Sequence, residues 1–143
     1  MKTWRLSGGD LVLGRGGFQT VTGVDRIMQQ LRAALGEPLG IDRFHPGWGS
    51  QIDDLVGLPL DGVTLFELEQ EVNRVVGNYI TVQDAKITRD RNLGVRARYS
   101  QADVLARVEK VDITSRTDSA TITITIGTAA GDRVTSEIEV EAQ

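Results

Sequence analysis

Cysteine is absent from the 143 residues, and histidine occurs once, at His45. These absences remove disulfide scaffolding, thiolate zinc sites and cysteine nucleophiles, and they leave any metal site to carboxylates alone. A Ser-His-Asp triad would have to be built around that single imidazole. Positive charge is not in excess either: sixteen basic residues against twenty acidic ones leave a formal charge of -4. The Arg and Lys residues are also scattered. Neutralising phosphates needs a basic face, so nucleic acid is not an expected partner. Long apolar runs are missing too. The longest are only a few residues, such as Leu11-Val12-Leu13, and Met1-Lys2-Thr3-Trp4 has no apolar signal core. The chain therefore reads as a soluble protein made and kept in the cytoplasm, with no membrane partner.

What is present is ordinary globular material, 40% hydrophobic and 25% charged. That is enough for a single domain over residues 1–143 to bury a core. Residues 1–22 read as an extended segment: Trp4 and Leu6, a turn at Ser7-Gly8-Gly9-Asp10, then Leu11-Val12-Leu13 and the breaker Gly14-Arg15-Gly16-Gly17. A helical part follows over 23–107. Val24, Ile27, Met28, Leu31 and Leu35 line one helix face, and Gly36 is the natural stop. Pro38, Pro46 and Gly40, Gly47, Gly49 rule out regular structure in the next stretch, yet Phe44 and Trp48 persist there, which suggests an ordered loop. Ser50 caps a short helix through Leu55-Val56 that Gly57 ends. Thr64 and Glu67 form a capping box for the longest helix, whose apolar face runs from Leu65 to Val82 and which is expected to end near Ile87, with a polar loop over Arg89 to Gly94. Ser100 and Asp103 open one more turn.

Strands fill 108–143. Val111 and Ile113, then Ala120, Ile122, Ile124 and Ile126, then Val134, Ile138 and Val140 alternate with polar residues, so one face is buried and one is wet. Thr128 to Asp132 is a hairpin loop. No internal repeat or low-complexity tract is evident. The fold class is α+β, with amphipathic helices packed on a small, mainly antiparallel sheet that ends in a C-terminal β-hairpin.

Several features could carry chemistry. Gly14-Arg15-Gly16-Gly17 is a phosphate cradle or a plain turn; it lacks the P-loop ending and the dinucleotide glycine spacing, and the turn is favoured. Glu37 with Asp42, Asp53 or Asp54 could serve as a glycosidase acid and base, but solvation and helix-dipole explanations for Glu37, Asp53 and Asp54 are favoured. His45 has no companion ligand. Phe44 and Trp48 are either interface anchors or pins that hold the loop to its own core. The uncharged run Thr121 to Ile126 is a hazard if it lies at a sheet edge, so it is either partnered by another chain or internal to the sheet. The loop Arg43 to Ser50 is a candidate docking surface because it concentrates Arg43, Phe44, His45 and Trp48.

The order of motifs resembles the sheath-initiator family of contractile phage tails and related injection machines, baseplate wedge proteins sometimes labelled lysozyme-like. The resemblance rests on Gly9-Asp10-Leu11, on Gly36-Glu37 closing the first helix, on His45-Pro46-Gly47-Trp48-Gly49-Ser50 preceded by Arg43-Phe44, on the helix from Thr64, and on strands from Val111 to Glu141. Where the family carries Glu-Pro-Arg before its sheet, this chain has Leu105-Ala106-Arg107. The resemblance implies a structural, non-enzymatic baseplate component with no cofactor, located in the virion and assembled in the host cytoplasm. It implies six copies in a ring, and partners among baseplate wedge proteins, the tail sheath protein, and tail tube or hub proteins. Wedge docking then falls to Arg43, Phe44, His45, Trp48 and Arg107. Sheath addition falls to Ile122, Thr123, Ile124, Thr125, Ile126, Ile138 and Val140. The alternatives are a lysozyme-like cell-wall glycoside hydrolase with Glu37 as the acid, and a generic tail or head completion adaptor.

Overall fold

The computed structural model describes residues 2–7, 10–59 and 61–141. Residues 2–7 and 10–22 are more ordered than an extended segment. Six two-residue strands, β1 (Thr3–Trp4), β2 (Leu6–Ser7), β3 (Asp10–Leu11), β4 (Leu13–Gly14), β5 (Gly17–Phe18) and β6 (Thr20–Val21), form three antiparallel pairs. The registers are Leu6↔Leu11, Leu13↔Phe18 and Trp4↔Thr20. Leu13 and Phe18 lie seven residues beyond Leu6 and Leu11, and the third pair closes the circle. Three backbone bonds tie the centre at the same seven-residue interval: Arg5 N–H to Gln19 O (2.8 Å), Val12 N–H to Arg5 O (3.0 Å) and Gln19 N–H to Val12 O (2.8 Å). This is a pseudo-threefold trefoil of heptads, so the expectation of no internal repeat is corrected. Gly14-Arg15-Gly16-Gly17 is a plain hairpin turn in it, with Gly14 and Gly17 paired. The expected turn at Gly8-Gly9 lies outside the described residues.

The trefoil rests on the first helix, α1 (Gly23–Gly36), through Gln29, whose amide accepts from the Leu6 N–H and donates to the Trp4 carbonyl. α1 buries Ile27, Met28, Leu31, Ala34 and Leu35. Its first turn is capped from afar, because Gly23 N–H donates to Asp103 Oδ1 at 2.7 Å. α2 (Ile52–Leu55) is a single turn. α3 (Gly62–Asn92) starts two residues before Thr64, since Asp61 is the cap and accepts the Thr64 N–H at 2.8 Å. It also runs past Ile87 to Asn92, so most of the expected polar loop is helix. The β-prone Ile80-Thr81-Val82 stays helical because tertiary contacts outweigh propensity. Gln83, just beyond it, exchanges two 3.0 Å hydrogen bonds with the Leu105 backbone. Ser100 and Asp103 form the expected capping box around a 3₁₀ turn, Gln101–Asp103.

β7 (Leu105–Ser115) begins three residues before position 108, and with β8 (Ser119–Thr128) and β9 (Arg133–Glu141) it makes an antiparallel sheet in the order β7-β8-β9. The α+β architecture with a terminal β8-β9 hairpin is as the sequence implies. Ile122, Ile124 and Ile126 are wholly buried against the helices, each contributing about 1.5–3 kcal/mol through burial. β8 is the central strand, with its own chain on both sides. The choice left open for Thr121 to Ile126 therefore resolves to the internal strand.

Candidate docking surfaces

The Gly-Glu and Trp-Gly-Ser motifs turn out to be two halves of one clasp. Ser50 N–H donates to the Glu37 carbonyl (2.8 Å), Leu39 N–H donates to the Ser50 carbonyl (2.9 Å), and Ser50 Oγ reaches the last-turn carbonyl of Leu35 at 2.6 Å. That hydroxyl satisfies an acceptor the helix end would otherwise leave orphaned. Trp48 Nε1 donates to Glu37 Oε2 at 2.6 Å while the half-buried ring packs against the core. Backbone and side chain of Glu37 thus both serve the loop.

α3 clamps the loop from the other side. Glu71 accepts the Gln51 N–H at 2.8 Å and a two-point contact from Arg74 at 2.7 and 2.8 Å. Arg74 also donates to the Gly49 carbonyl, and Asn78 to that of Gly47. Burial acts to raise the Glu71 pKa, but the Arg74 guanidinium and the Gln51 amide outweigh it and hold the carboxyl below its usual value. These clamp residues are not suggested by any motif; the Glu71/Arg74 spacing on one helix face was the available signal.

Within this frame the expected wedge-docking set divides. Phe44 is 91% exposed, and Arg43 and His45 are exposed beside it. Asp42 shapes their turn by accepting the Phe44 N–H and binding His45 Nδ1, both at 2.8 Å, and the His45 contact holds the Asp42 pKa down. Trp48 turns inward. Arg107 stands on β7, where it donates to Glu109 at 2.7 and 3.0 Å, and Glu109 also takes Arg133. Its guanidinium is engaged on the sheet rather than with the loop. Glu37, the candidate acid, is occupied by the Trp48 indole. Among the described residues no group of three or more His, Asp or Glu is placed to hold a metal, and no helix there is long and apolar enough to cross a membrane.

The sheet leaves two edges. β7 carries register shifts between Leu105 and Arg107 and between Val108 and Lys110, irregularities that discourage pairing. β9 pairs with β8 without interruption from Arg133 to Glu141, and its outer edge has no strand beside it among the described residues. Ile138 and Val140 point inward, while Glu137, Glu139 and Glu141 form an exposed acidic row. The five sheath-strand candidates on β8 have their ladder partners within the chain; Ile138 and Val140 lie on a strand with an edge to offer.

No family model and no curated protein matches the chain. Among solved structures it is similar to a protein from Geobacter sulfurreducens, provisionally named a tail lysozyme, with a TM-score of 0.57 at 17% identity over 94% of this chain and 97% of the other. At that identity the likeness is one of fold, and it extends over nearly the whole chain.

Proposed function

We propose that this chain is a structural baseplate component of a contractile tail or related injection machine, holding on to wedge proteins through Arg43, Phe44 and His45 and offering the β9 edge to a strand of the tail sheath. The observation that carries the reading is β9 itself: nine residues in unbroken register, an outer edge with no strand beside it among the described residues, inward positions apolar except Ser136, and outward positions acidic from Glu137 to Glu141. Strand addition draws affinity from main-chain hydrogen bonds and specificity from alternate side chains. A sheath strand with apolar residues on one face and Lys or Arg on the other would extend the core and answer the glutamates. Six copies in a ring would multiply a modest contact into a stable platform. The fold likeness to a protein provisionally named a tail lysozyme supports the same setting.

The missing cysteines make the test simple. A Glu139→Cys variant should cross-link to sheath protein during co-assembly, and an Asp112→Cys variant on β7 should not. Cross-linking from β7 alone, or from neither strand while sheath still nucleates, defeats the β9 assignment.

The name of the structural neighbour favours one rival, a cell-wall hydrolase using Glu37. Turbidity of a peptidoglycan suspension decides between them: neither wild type nor Glu37→Gln should clear it, and Glu37-dependent clearing would replace the present reading.

A further inference from the structure

The second half of α3, the segment 95–104 and the first turns of α1 enclose a cavity of about 450 Å³, within the size range of small-ligand sites. Arg26 lies at its floor and is 6% exposed. One terminal nitrogen donates to Gln30 Oε1 (3.2 Å) and the other to the Asp103 carbonyl (2.7 Å), but Nε has no acceptor, and the Asp103 carboxylate stands 4.0 Å away. That carboxylate is directed elsewhere: Oδ1 takes the Gly23 N–H, and Oδ2 takes the Ser100 N–H and hydroxyl. The buried guanidinium is therefore paired with its carboxylate only at the outer limit of an ion pair, with its Nε–H left without an acceptor, in a place where solvent screens charge poorly.

The rim adds to the charge. Arg89 is paired with Asp90 at 3.6 Å, but Lys86 and Arg98 are exposed and belong to no ion pair among the described residues. The lining thus holds four cations (Arg26, Lys86, Arg89, Arg98) against two carboxylates (Asp90, Asp103), in a chain whose net charge is -4. Between the charges the wall is apolar, with Val82, Ile87, Val95 and the Trp48 ring. We propose that this cavity binds a carboxylate carried next to an apolar side chain, namely an Asp or Glu beside an aromatic or aliphatic residue in a partner's segment. Lys86 and Arg98 meet the carboxylate, Arg26 supplies the field beneath it, and the apolar wall takes the neighbouring side chain.

The test uses the isolated chain and does not depend on sheath or wedge, so its outcome is separate from that of the β9 assignment. Trp48 emission in a Trp4→Phe background reports binding of acetyl-Phe-Glu-amide, with acetyl-Phe-Gln-amide and inorganic phosphate as comparisons. Saturable binding by the Glu peptide is expected, at least about tenfold weaker for the Gln peptide and weakened by salt. The rim double variant Lys86→Gln/Arg98→Gln, which leaves the buried cluster intact, should lose about tenfold in affinity with an unchanged melting temperature. Equal binding of the two peptides, phosphate binding as tight as the Glu peptide, an unaffected rim variant, or no saturable response up to about 10 mM would each overturn the assignment.

Discussion

A methyl group added at Gly49 would lie 2.6 Å from the Pro38 carbonyl oxygen and 2.7 Å from that of Glu37, on a backbone with φ of +97°. The strand-like contact between Pro38 and Ser50 leaves no room to give way, so Gly49→Ala is expected to cost about 2–4 kcal/mol. Phe44→Ala, in the same loop but almost fully exposed, should change stability by less than about 0.5 kcal/mol. Urea unfolding of the two variants side by side checks both. Asp103 offers a different handle. Burial works to raise its pKa, but the Ser100 and Gly23 amides prevail and bring it from 3.8 to about 2. A carboxyl depressed in the folded state stabilises above its unfolded pKa and loses that contribution as pH falls through the folded one. Asp103→Asn should therefore destabilise by about 2 kcal/mol at neutral pH, and the gap to wild type should close between about pH 4 and pH 2. A gap that persists unchanged at pH 2 in thermal melts would contradict this account.

At the scale of elements, the place of a strand in its sheet decides what a proline does. Thr123 is in central β8, between Asp112 and Glu137, where losing a ladder donor and inserting a ring should cost about 3 kcal/mol or more. Thr123→Pro is expected to unfold the sheet, seen as loss of far-UV ellipticity, so it cannot serve as a selective probe of partner binding. The alternation of Ile122, Ile124 and Ile126 with threonine announced the strand but not its position, because period two is the same at an edge and at the centre. The same limit explains the other differences. α3 runs past its expected end to Asn92, where the Leu93 and Gly94 amides close back on the Arg89 and Arg91 carbonyls, an ending that the polar residues of 89–94 do not announce. The clasp was partly legible, since Gly36-Glu37 and Trp48-Gly49-Ser50 stand out as motifs, but their joining, and the Glu71–Arg74 clamp, depend on tertiary approach. The trefoil hid behind strands of two residues, too short for any period-two pattern, although Trp4, Leu11 and Phe18 recur every seven residues.

Over the whole molecule, packing is uneven along α3. Leu68, Val72, Val75, Val76 and Tyr79 are buried, whereas no residue from Val82 to Asn92 is buried and eight of those eleven are exposed. Local opening follows such contact density, so amide hydrogen exchange should be slowest from Val72 to Tyr79 and faster by orders of magnitude from Arg89 to Asn92. Uniform protection along the helix would contradict that gradient. The trefoil at the other end obeys a different logic, that of a closed count. Each of its three central hydrogen bonds hands on to the next heptad, from Arg5 to Gln19 to Val12 and back, so a fourth heptad would break the ring and a missing one would leave it open. The tip between β4 and β5 carries no such restriction. Insertions at the Arg15-Gly16 turn leave the closure untouched, so the length of that arm is free to vary while the number of arms is not.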